Sequence, residues 1–124
     1  MDSLRQQRAL TACKRFLVAM GALQADAEIT QEWVWAVMPG LVSRKQAGIE
    51  LPVAAAQLLP ELGAGLGIPP GASTRTIAAT FAALFGPCPH SNEVLLEACD
   101  YLRSQANGGF GMMSSAPKKP KVVF

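Results

Sequence analysis

The chain has 124 residues, half of them apolar and 16% charged, with a formal net charge of +2 at pH 7. That length supports one domain and leaves no material for a second core. An Ala- and Leu-rich composition excludes a disordered polyelectrolyte, and the best apolar run, Ile77 to Phe85, is half of the ~18 residues a membrane span needs.

Charge is unevenly placed. Lys118, Lys119 and Lys121 supply three of the eleven basic groups, so residues 1–117 carry eight basic against nine acidic side chains. By total charge the body is not a polyanion-binding surface, and attraction to nucleic acid or anionic lipid is concentrated in the last residues. Three cysteines, Cys13, Cys88 and Cys99, are an odd number, and Met1–Leu10 lacks the apolar core of a secretory signal. The expectation is a reducing intracellular compartment or a virus particle, not secretion.

Read along the chain, the pattern is helical. Leu10, Cys13, Leu17 and Met20 recur at helical spacing, predicting a helix from Leu4 to Met20, with Ser3 as N-cap and Gly21 as stop. Thr30 is placed to cap a second helix over residues 31–38, with Ile29 and Val34 in hydrophobic-staple positions and Pro39-Gly40 ending it. Leu41–Gly48 reads as a short helical turn carrying Arg44 and Lys45. Pro52 suits a first turn, so Val53–Leu59 reads as an Ala-rich helix, kinked or restarted by Pro60 and ended by Gly63. Gly63–Gly71 then reads as the internal loop.

Ser73 or Thr74 caps the next helix, Arg75–Phe85, with Ile77, Phe81 and Leu84 as an apolar stripe that Gly86-Pro87 stops. A last helix runs from Asn92 to Ala106. Leu95, Cys99, Leu102 and Ala106 face inward, Glu93, Glu97, Asp100 and Arg103 face mostly outward, and Asn107-Gly108 terminates it. No strand pattern or internal repeat competes with this reading. The fold expectation is all-α: a compact bundle of about five short helices over residues 1–107, followed by an extended basic and apolar arm over 108–124.

Residues able to do chemistry are sparse. His90, in Cys88-Pro89-His90, is the one histidine; with Cys99 and Cys13 it offers zinc-type ligands but not the C-x2-C or H-x3-H spacing that makes ligands converge. A Cys88/His90 nucleophilic pair lacks a third orienting group. Gly63, Gly65 and Gly67 form G-x-G-x-G without the following Lys-Ser/Thr of a phosphate loop, so a connecting turn explains them. Glu93, Glu97 and Asp100 read as a solvated acidic face favoured near a helix N-terminus. No catalytic residue, metal or cofactor is expected, and the chain is read as no enzyme.

Features suited to protein contact are more distinct. Trp33 and Trp35, two apart on a helix, point in different directions, so one belongs to the core and the other is a candidate interface anchor. The arm contributes Phe110, Met112 and Met113, then Pro117-Lys118-Lys119-Pro120-Lys121, whose prolines favour extended backbone, then Val122-Val123-Phe124 with a carboxylate for a groove or sheet edge to capture.

The function expectation is a structural or assembly subunit of a larger particle, a virus or phage component above others, forming a homo-oligomer or hetero-assembly with the arm docked on a neighbour. One alternative is a nucleic-acid-binding protein using Arg5, Arg8, Arg15, Arg44, Lys45 and the arm lysines. A helix-turn-helix over Thr30–Gly48 is a weaker form of it, because the body has no basic stripe. Another alternative is an accessory subunit of a large enzyme complex.

Overall fold

The computed structural model describes residues 2–69 and 71–106, with side chains from Leu4 onward. Among them the chain is all-α. Seven helices follow in order: α1 Asp2–Met20, α2 Gln31–Ala36, α3 Met38–Ala47, α4 Val53–Gln57, α5 Leu59–Leu66, α6 Thr74–Phe85 and α7 Asn92–Gln105. The five longest span eight residues or more, and α2 and α4 are short turns between them. The expected arm and the Asn107-Gly108 stop lie outside the described residues.

Capping chemistry sets where α6 and α7 begin. Ser73 and Ser91 hold extended backbone before α6 and α7, and each hydroxyl accepts from the amide three residues on, Thr76 N and Val94 N at 3.2 Å. Each cap satisfies a donor that the helix itself leaves orphaned. Neither Ser3 nor Thr30 acts as the cap expected of it. Ser3 lies inside α1, not before it. Thr30 occupies the N-cap position of α2, yet its side chain makes no capping bond.

Pro39-Gly40 begins a helix where it was expected to end one. The break falls at Val37, and Pro39 stands in the first turn of α3, where its missing N–H would have no intrahelical partner anyway. Pro60 plays the same part at the start of α5. A proline before a glycine therefore does not by itself distinguish a stop from a start.

The expected loop over Gly63–Gly71 begins four residues late. Gly63 and Gly65 are helical, and α5 closes only at Gly67, whose φ of +78° accompanies Gly67 N–H to Ala64 O and Ile68 N–H to Gly63 O. This is the Schellman closure, and Gly21 and Gly48 end α1 and α3 the same way. Gly65 serves a different need. A Cβ there would sit 2.5 Å from Ala12 Cβ and 3.6 Å from the Arg8 carbonyl oxygen, so its lack of a side chain is what lets α5 lie directly on α1.

Three helix contacts organise the bundle: α3 along α7, α1 along α5, and α6 on α7. Leu17, Met38, Leu41, Leu59, Leu66, Ile77, Phe85 and Leu102 are wholly enclosed between them. Each such side chain contributes roughly 1.5–3 kcal/mol by leaving water. Trp35 of α2 packs on Phe81 and Phe85 of α6, edge-on to Phe85 with centroids 6.4 Å apart. No polar or charged residue is fully buried among the described residues.

Candidate interaction surface

The two tryptophans of α2 separate as their spacing requires. Trp35 is 4% exposed and Trp33 42%. Trp35 is tied as well as packed: its indole N–H donates to the Phe85 carbonyl at 3.2 Å, and its own carbonyl accepts from His90 Nε2 at 2.8 Å. It therefore belongs to the core and cannot serve as the contact residue considered for it. Trp33, two positions away, is left for solvent or a partner.

His90 is thus a structural donor that fastens the α6–α7 connection to the end of α2. The nearby Cys88 is half-buried, and its sulfur accepts from the His90 backbone N–H at 3.4 Å. Burial pushes the Cys13 thiol up to about 12; burial, then the neighbouring Cys88, does the same to Cys99. Both stay protonated and behave as small core residues. Among the described residues no three His, Cys, Asp or Glu side chains gather as a metal site would need.

The acidic face of α7 is put to structural use. Lys45 of α3 reaches Glu97 and, at 3.1 Å, Asp100; these carboxylates raise the lysine above its ordinary range. Thr74 donates to Asp100 at 3.3 Å, so α3, α6 and α7 meet at one polar node. Glu97 and Asp100, whose side chains remain 43% and 46% exposed, keep a solvated face and also clasp α3 to α7.

The basic residues considered as one polyanion face are dispersed among several partners. Arg15 pairs with Glu61 across the α1–α5 contact. Arg44 donates to the Glu50 carbonyl at 3.1 Å. Arg5 lies against Gly67, while Arg8 lines a groove with Arg15. Lys118, Lys119 and Lys121 lie outside the described residues, as do Phe110, Met112, Met113, Val122, Val123 and Phe124.

Apolar side chains missed by the sequence reading complete the surface. Leu4 is 59% exposed, Ile49 52% and Val53 73%. Periodicity could not reveal Val53, because five-residue α4 is too short to define a face. Two open grooves lie beside these residues. One, about 510 Å³, runs between α1 and α5 past Leu4, Arg8, Ala12 and Gly65. The other, about 480 Å³, lies between α4 and the end of α7 and is bordered by Leu51, Val53, Ala56, Pro60 and Ala106. By contrast, the small pocket of about 20 Å³ beside Cys13, Phe16 and Phe81 is lined by apolar side chains and has room for about one water, which would find no polar partner there.

No helix among the described residues is long and apolar enough to cross a membrane. Comparisons of the chain with protein-family models, with curated proteins and with solved structures found no match.

Proposed function

We propose that the chain is a structural subunit of a larger assembly, a virus or phage particle above other kinds, whose helical body packs against neighbours and whose residues 108–124 dock on one of them. The observation that carries this reading is Trp33, 42% exposed beside a buried Trp35. An amphipathic ring left at the surface of a body that encloses its other aromatic residues well is the kind of side chain that anchors interfaces. Leu4, Ile49 and Val53 add apolar area on other helices. Arg15 and Lys45, which a polyanion-binding role would need free, are already matched to carboxylates.

The test is the native mass in solution by sedimentation equilibrium. The full chain is expected to associate. Trp33→Glu and removal of Gly109–Phe124 should each lower the mass with an unchanged helical circular-dichroism spectrum. A full-length chain that stays monomeric at high concentration, or one whose association ignores both changes, would overturn the reading.

A further inference from the structure

We infer that the groove between α4 and the C-terminal end of α7 is the seat for Val122-Val123-Phe124 of a second copy of this chain; the inference rests on the reading of residues 108–124 as a docking arm. The groove offers such a segment both apolar and polar contacts. Val53, the most exposed large apolar side chain among the described residues, stands on its border with Ala56 and Pro60, and Gln57, Ser104 and Gln105 complete the lining beside the buried Leu51. Its volume, about 480 Å³, lies within the ~300–1,000 Å³ of pockets that hold small ligands. The backbone on its border is fixed, because Gln105 Oε1 accepts from Leu51 N–H at 2.8 Å and Tyr101 donates to the Ile49 carbonyl at 2.5 Å.

Charge and reach select the occupant. Glu50 is the one charged residue bordering the groove, and the segment that would approach it carries Lys118, Lys119 and Lys121 just before the three apolar residues. Opposite signs steer the approach, while the apolar triplet supplies the burial. Ser104, Gln105 and Ala106 themselves line the groove, so each chain's own arm departs from the border of its own seat. Residues 107–121, the fifteen between Ala106 and Val122, extend to at most roughly 50 Å. A body of about a hundred residues has a radius of gyration of only ~13 Å, so this reach passes beyond it. Two chains related by a two-fold axis would fill both grooves at once, and the test below separates that exchange from return of the arm to its own groove.

The test traps the contact in full-length protein. In a Cys88→Ser background, a chain carrying Val53→Cys is mixed with a differently tagged chain carrying Phe124→Cys under mild oxidation. A mixed disulfide at Val53 well above that at the exposed control Gln24→Cys is expected. In parallel, Val53→Asp should weaken self-association by about tenfold, as a lost anchor does. Equal trapping at Gln24 and Val53 would overturn the groove assignment. So would a bond that forms only when both cysteines share one chain, which would place the arm in its own groove. If Phe124→Asp abolishes association while Val53→Asp leaves it intact, the seat is wrong and the docking arm survives. If neither substitution changes association, the arm reading falls as well.

Discussion

Residues 31–66 and residues 73–105 build helices by different means. The later stretch makes two long helices, α6 and α7, each started by a serine whose hydroxyl caps it. The earlier stretch makes four shorter ones, α2 to α5, none with a side-chain cap, and places a proline in the first turn of α3 and of α5. Local chemistry marks where α6 and α7 begin. The short helices depend on what they lie against: α5 on α1, α3 on α7, and Trp35 on α6. Stability in the first stretch is therefore borrowed from the second and from α1.

The most severe way to break that dependence is Trp35→Ala. It removes the aromatic cluster with Phe81 and Phe85 and the indole bond to the Phe85 carbonyl. A loss of about 3–5 kcal/mol is expected in chemical denaturation followed by circular dichroism, as for other large-to-small core changes. Trp33→Ala, measured on dilute protein, should stay within ~0.5 kcal/mol, as exposed substitutions do. Equal losses would mean that both rings serve the fold.

A smaller effect probes the α1–α5 contact. Gly65→Ala puts a methyl 2.5 Å from that of Ala12. Overpacking of ~1–3 kcal/mol opposes a helix-propensity gain of about 1 kcal/mol, so net destabilisation is expected. Ala12→Gly in the same chain makes room, and the pair should lose less than the sum of the single changes, a coupling of about 0.5–3 kcal/mol. Strict additivity would show that the helices have separated to relieve the clash.

The finest distinction lies in the caps. Ser91→Ala should cost about 1 kcal/mol, whereas Thr30→Ala, which removes no capping bond, should cost no more than a few tenths. Similar losses at the two positions would erase the contrast between the two stretches.

The same contrast explains what could be read from the chain before its structure. Ser73, Ser91 and Gly21 act within a few residues of themselves, so the end of α1 and both ends of α6 and α7 were legible almost to the residue. Pro39 and Gly65 take their meaning from distant neighbours. Proline is compatible with either end of a helix, and glycine with either a turn or a close contact; Ala12, 53 positions away, decides the case for Gly65. That the two tryptophans would part was visible in their spacing, but which one turns inward depends on Phe81, Phe85 and His90, about fifty residues on. The clasp of Lys45 on Glu97 and Asp100 was equally hidden, since nothing in a run of exposed acids names the cation that meets them.

The unlike fates of Trp33 and Trp35 give the protein two internal lamps. They are the only indoles in the chain, one lit from inside the bundle and one from its skin. Emission from the enclosed ring should redden only when the bundle melts, whereas the outer ring should turn bluer whenever another surface covers it. Replacing either with phenylalanine leaves a single-colour reporter, so two single-tryptophan variants follow melting and docking separately without a dye.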